Sequence, residues 1–145
     1  SEMSVENYRS RISGPMLDRI DIVVEVPSVH FEDLRSRAEA EPSASVKERV
    51  NAARAIQNRR FGAGSSMCNA RMGPEEMRKF CQLDDECAGL MKDAFETMGL
   101  TARSYDRILK VARTIADLEG METIQVAHLM EAISYRSLDR DSWGE

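Results

Sequence analysis

The stretch TARSYDRILKVARTIADLE, from Thr101 to Glu119, leaves the chain the least freedom. Tyr105, Ile108, Leu109, Ala112, Ile115 and Ala116 recur at the spacing of one helical face. Thr101 is a good N-cap, and Gly99 and Gly120 stand where helices break. Arg103, Arg107, Lys110 and Arg113 fall off the apolar stripe and are expected on the polar side. An isolated helix of this kind is marginal in water, so the stripe must be buried against other elements.

The remaining sequence supplies those elements as helices. Leu83, Cys87, Leu90, Met91, Ala94, Phe95 and Met98 share a face, and Gly99 fits the position just past that helix. Thr123 is expected to open a last amphipathic helix carrying Val126, Leu129, Met130 and Ile133. Ser45 and Glu48 read as a capping box before Val50, Ala53 and Ile56, in a helix ending near Arg60 at the Gly-rich stretch FGAGSS. Gly73-Pro74-Glu75-Glu76 has the proline and acids of a helix start. Val29 to Arg37 has a short apolar set, Glu39 to Ser45 reads as a linker, and Ser137 to Glu145 as a frayed polar tail.

Upstream the period changes. Ser4 to Ile12 reads as a short helix stopped by Ser13-Gly14-Pro15. Ile20, Ile22, Val24 and Val26 then alternate as in a strand, which Pro27 ends. No second strand is legible, so this one is an orphan, expected to pair with something, lose order or drive dimerisation. The expected fold is mainly α. Residues 28–140 form a bundle of about four or five helices, residues 1–27 a short helix and the orphan strand, and residues 141–145 a tail.

Composition narrows the function. With 145 residues, 42% hydrophobic and 31% charged, the chain supports one modest soluble domain, or one domain plus a piece of another. Aromatics are only 6%, so the core is aliphatic, with nine Met as fillers. No apolar run is long enough to span a membrane, and SEMSVENYRSR lacks the apolar segment of a signal peptide. Cys68, Cys81 and Cys87 show no ligand spacing and read as reduced thiols. His30 and His128 are far apart, His128 being expected at or near the surface, and no metal site is expected. Phosphate-binding GxxxxGK[ST] and GxGxxG loops are absent, so the chain holds no self-sufficient active site.

Cations are the remaining candidates. Lys47, Arg49, Arg54, Arg59 and Arg60 face a single acid, Glu48, within one helix. That is a solvated face or a patch that tracks nucleic-acid phosphates without reading sequence. The net charge of −5 argues against a dedicated nucleic-acid coat. Arg19 stands just before the strand and Arg103 in the first turn of the central helix. Either can meet a terminal phosphate with both arms of the guanidinium, or simply form a surface ion pair.

Read together and in order, YRSRISGPMLDRIDIVVEVP, CNARMGPEEMRKFCQLD and LTARSYDRILKVARTIADLEG resemble the C-terminal part of the magnesium-chelatase-like AAA+ ATPases of the ComM/YifB type. The resemblance covers roughly Tyr8 to Arg140. It implies a bacterial, cytoplasmic, ring-forming, hexameric ATPase acting on DNA in uptake and recombination. The chain would be its last α/β helix and strand plus the helical lid, lacking Walker A and B and inactive alone. ATP and Mg²⁺ would belong to the full-length protein and not bind this fragment. The partners would be its own N-terminal subdomain, neighbouring subunits and DNA. The resemblance makes Arg19 the arginine finger, acting on a neighbouring subunit's nucleotide, and Arg103 the sensor 2 arginine. CNARM, Cys68 to Met72, matches a family motif and is expected to be a structured turn. The alternative is a helical DNA- or protein-binding module acting through residues 46–60.

Overall fold

The structure, a computed structural model, describes residue 16, residues 19–28 and residues 40–141, with side chains as far as residue 136. The expected helices at Ser4–Ile12 and Val29–Arg37 lie outside the described residues. Five helices are present among those described: α1 Ser43–Phe61, α2 Pro74–Phe80, α3 Asp85–Met98, α4 Ala102–Leu118 and α5 Val126–Asp141. A single 3₁₀ turn, Asn69–Arg71, precedes α2. None of these helices is long and apolar enough to cross a membrane.

The central stretch is the hub. α4 packs against α5, α1, the 3₁₀ turn and α2, while α3 packs on α5. The Thr101 hydroxyl accepts from the Ser104 N–H at 3.1 Å, the N-cap the sequence implied. Ile108, Leu109, Ala112, Ile115 and Ala116 are all buried, and Tyr105 is partly buried beside them. α3 ends at Gly99, whose φ of 56° is left-handed, and the Leu100 N–H reaches back to the Phe95 carbonyl at 3.1 Å. Cys87 and Met91 are buried from α3, whereas Phe95 is exposed.

Several boundaries differ from expectation. α1 begins at Ser43 after Pro42, so Ser45 already sits inside the first turn with its N–H bonded to the Pro42 carbonyl at 3.0 Å. The Ser45/Glu48 capping box therefore does not cap this helix. Only Ala53 and Gln57 of α1 are buried, and residues 43–52 are all exposed. α5 starts at Val126 rather than Thr123 and runs on to Asp141, past the expected start of the tail. Ile124 explains the late start: it is 2% exposed, inserted into the core from the preceding loop.

The strand is the main correction. No strand is assigned among the described residues, and 20–28 is irregular. With no ladder partner there, extended backbone cannot build a sheet. One backbone bond holds it, the Val23 N–H to the Tyr135 carbonyl at 3.2 Å. Ile22, Val24 and Val26 face solvent at 50%, 60% and 83% exposure.

The thiols give a direct test. Cys81 and Cys87 are buried, and Cys68 is partly exposed. Burial is the first cause that pushes both buried thiols from the ordinary 9.0 to about 11. At pH 8 a thiol reagent is expected to modify Cys68 quickly and the other two only on unfolding. Because the folded pKa values are raised, this contribution to stability is complete below about pH 9 and erodes as pH rises toward 11. Rapid labelling of all three thiols in the folded chain would contradict this burial.

Candidate functional site

Two polar clusters sit on α4, one near each end. The first surrounds Arg103. It lies in the first turn, where the helix dipole favours anions, and is exposed. Arg103, Arg107 and Lys110 follow at helical spacing along one wall of a cleft of about 480 Å³, and Asp21 and Ile22 contribute from the opposite segment. Arg107 forms an ion pair with Asp21, and Lys110 donates to the Ala70 carbonyl at 3.3 Å. Arg19 is exposed, and its N–H closes a turn onto the Met16 carbonyl at 3.0 Å. One residue, Ile20, separates it from Asp21, a reach of about 7 Å at most. The structure therefore sets the Arg19 segment beside the α4 turn that carries Arg103.

The second cluster was hidden in the sequence. Arg113, assigned above to the polar side, is 1% exposed. Its guanidinium donates to the Glu122 carbonyl at 2.7 Å and the Met121 carbonyl at 2.5 Å, and pairs with Asp117 at 3.1 Å. Burial pulls its pKa down, and the Asp117 charge opposes that. Arg60 reaches the same carboxylate with both arms, at 2.6 and 2.5 Å, and packs 5.6 Å from the Phe80 ring centre.

Asn69 completes the cluster. It is 1% exposed, donates to Asp117 at 2.7 Å and to Thr114 at 3.2 Å, and accepts from Arg60 at 2.8 Å. The CNARM turn is thus the piece that locks α1 to α4. Its legible signal was an amide residue inside an otherwise unexplained motif.

These bonds remove Arg60 from the basic patch, because its charge is spent on Asp117 and its side chain is only 10% exposed. Lys47, Arg49, Arg54 and Arg59 remain exposed on α1, with Arg49 paired to Glu41 and Arg54 bonded to Gln57 at 3.3 Å. The two sets, Arg19 with Arg103 and the α1 cations, stay separate.

His128 is also misplaced by sequence reasoning, being 2% exposed. Its Nδ1 accepts from the Gln125 N–H at 2.9 Å, which makes Nε2 the donor to Glu119, also at 2.9 Å. It caps the start of α5, the reach-back a Glu or Gln makes in a capping box. Among the described residues no group of His, Cys, Asp and Glu could hold a metal ion. The two buried thiols, Cys81 and Cys87, are pushed toward the unreactive form. What this cleft offers chemically is Arg103 at a helix start, among the cations Arg107 and Lys110 and the acids Asp21, Asp106 and Glu131.

Comparison with known proteins matches the chain to two magnesium chelatase family models. The family described as magnesium chelatase, subunit ChlI C-terminal, matches residues 40–136, and magnesium chelatase, subunit ChlI, matches residues 1–34. The chain is 40% identical over 141 residues to the competence protein ComM of Haemophilus influenzae, covering 97% of this chain and 27% of that protein. It is 42% identical over 134 residues to YifB of Escherichia coli, covering 92% of this chain and 26% of that one. A Mycobacterium tuberculosis protein, Rv2897c, is 32% identical over 130 residues, 89% of this chain and 25% of its own length. The chain therefore spans about a quarter of the length of these relatives. A bundle built around α4, with a family match across most of its length, belongs to the magnesium chelatase ChlI C-terminal family and is of the ComM/YifB type.

Proposed function

We propose that this chain is the helical lid region of a cytoplasmic, ring-forming AAA+ ATPase that couples ATP turnover to DNA remodelling in uptake and recombination. Arg103 faces the γ-phosphate of ATP, and Arg19 serves as the arginine finger toward the nucleotide of a neighbouring subunit, in a homo-oligomeric, hexameric ring. The observation that carries this is the placement of Arg103. It is exposed in the first turn of the hub helix, on a cleft whose other wall includes the segment just after Arg19. A guanidinium there adds to the helix dipole and suits a phosphate, which it can grip with two parallel bonds.

On this reading Mg²⁺ and the phosphate-binding loop come from elsewhere in the protein, and this chain alone does not hydrolyse ATP. The exposed apolar side chains of Ile22, Val24 and Val26 then meet the α/β subdomain. The competence relative's name supports the DNA-uptake setting. In the intact protein, Arg103→Ala is expected to lower ATP turnover about 10²–10³-fold, the usual loss for one preorganised donor to transition-state charge. Circular dichroism should be unchanged, since Arg103 is exposed. Near-normal turnover would sink the assignment.

A second reading rests on α1, whose first half is wholly exposed and which keeps Lys47, Arg49, Arg54 and Arg59 on the surface. There α1 binds nucleic-acid phosphates. Titration with labelled single-stranded, duplex and branched DNA at two salt concentrations tests it. Each removed cation that contacts a phosphate should reduce the salt slope by about 1. Binding unaffected by Arg54→Ala and Arg59→Ala would exclude this helix.

A further inference from the structure

We propose that Arg136, Arg107, Ser104 and Asp21 form a clasp that holds the Arg19 segment on the central helix, so that Arg19 and Arg103 move as one body. The four are positioning residues, and their role rests on the reading of Arg19 and Arg103 given above.

The segment after Arg19 gains little from apolar burial: Ile20 and Val23 are only partly buried, and its other apolar side chains are exposed. Ile22, Val24 and Val26 are 50%, 60% and 83% exposed, so packing contributes little there. Polar bonds at positions 20, 21 and 23 hold it as well. The Ile20 carbonyl accepts from Arg136, the Asp21 carboxylate pairs with Arg107, and the Val23 N–H donates to the Tyr135 carbonyl at 3.2 Å. α5 and α4 thus share the grip.

Arg136 is the joint. It is 3% exposed, unusual for an arginine on a helix near the end of a domain. One arm of its guanidinium donates to the Ile20 carbonyl and the other to the Ser104 hydroxyl at 3.2 Å. Ile20 directly follows Arg19, and Ser104 directly follows Arg103. One rigid planar fork therefore spans the residues next to both proposed phosphate-facing arginines. A lysine cannot reproduce that two-armed geometry.

The Asp21–Arg107 pair is half exposed on its acid side, at 52%, and would count for little alone. Beside the Arg136 bridge it sets the register. Tilting of α4 in response to nucleotide at Arg103 would then carry Arg19 with it. The site facing one nucleotide would thereby report to the arginine facing the next.

Hydrogen exchange at the Val23 amide of this chain tests the clasp directly. Arg107→Ala, Asp21→Asn and Arg136→Ala are expected to speed that exchange by about tenfold or more, as for a locally opened segment. Buried α4 amides from Ile108 to Ala116 should be unaffected in the Arg107 and Asp21 variants, which keeps the test valid if Arg136→Ala unfolds. The paired exchange Asp21→Arg with Arg107→Asp should restore protection, and Arg136→Lys should not. In the intact protein the same single variants should lower kcat for ATP roughly 10–100-fold through misplacement, with KM unchanged.

Unchanged Val23 exchange in the Arg107 and Asp21 variants would overturn the clasp. Normal kcat in them, while Arg19→Ala and Arg103→Ala lose activity, would overturn its positioning role and leave the functional reading standing. Full turnover in Arg19→Ala and Arg103→Ala would instead remove that reading, and the positioning role with it.

Discussion

Asp117→Ala is expected to cost about 3–5 kcal/mol, the range for removing one partner of a buried ion pair. The acid is fully buried and accepts from Arg60, Arg113 and Asn69. Removing it takes the carboxylate partner from buried Arg113 and from Arg60, whose side chain is 10% exposed, and one acceptor from buried Asn69. Coulomb repulsion between Arg60 and Arg113, now balanced by the acid, adds to the loss. Asp117→Asn keeps the shape and one acceptor oxygen, so it should lose less. For a domain of this size the alanine variant should melt on the order of 15 °C lower or more. The effect should persist in high salt, because buried pairs are weakly screened. Asp93→Ala, on the exposed face of α3, is the control and should stay within about 0.5 kcal/mol. Urea unfolding would measure all three. A loss below about 1 kcal/mol for Asp117→Ala would mean the cluster does not lock α1 to α4.

Arg19→Ala is expected to be the most damaging change to turnover in the intact protein. An arginine finger is worth about 10³–10⁵ in rate, because its charge meets the negative charge that develops as the phosphoryl group transfers. Arg19 is exposed, so its removal should leave folding stability unchanged within about 0.5 kcal/mol. The two readouts separate cleanly: Asp117 governs stability and Arg19 governs rate. Arg19→Lys should recover little, since an ammonium lacks the fork that matches phosphate oxygens. If the finger acts on a neighbour, adding a second variant with intact Arg19 but defective in its own nucleotide site should restore activity in mixed rings. Unimpaired hydrolysis by Arg19→Ala rings would refute the finger.

The helices were legible because each carries a local signal. α4 has a long apolar stripe and an N-cap threonine, α2 a proline at its first position, and α3 an aspartate cap at one end and a left-handed glycine at the other. Where that signal conflicted with context, context prevailed. The Ser45/Glu48 pattern lost to a helix that starts at Ser43. The alternation from Ile20 to Val26 met no ladder partner among the described residues and left Ile22, Val24 and Val26 in solvent. Arg103 and Arg19 were legible as candidates through their local context and the family resemblance; the cleft that Arg103 lines was not.

Arg113 and Arg60 were read as charges of a polar face, Asn69 as part of a turn and His128 as near the surface; these four and Arg136 are buried or nearly so. A faint signal existed for two of them. Arg113 and Asp117 are one helical turn apart, and His128 stands three residues after Gln125, where a capping side chain belongs. Nothing local marked the others. By itself the sequence determined which segments are helical and where most of them stop, because capping and the 3.6-residue period act over a few neighbours. Which arginines turn inward was decided only by the tertiary structure. A guanidinium can be buried only where an acceptor waits, and for Arg60 and Arg136 those acceptors lie 57 and 116 residues away along the chain.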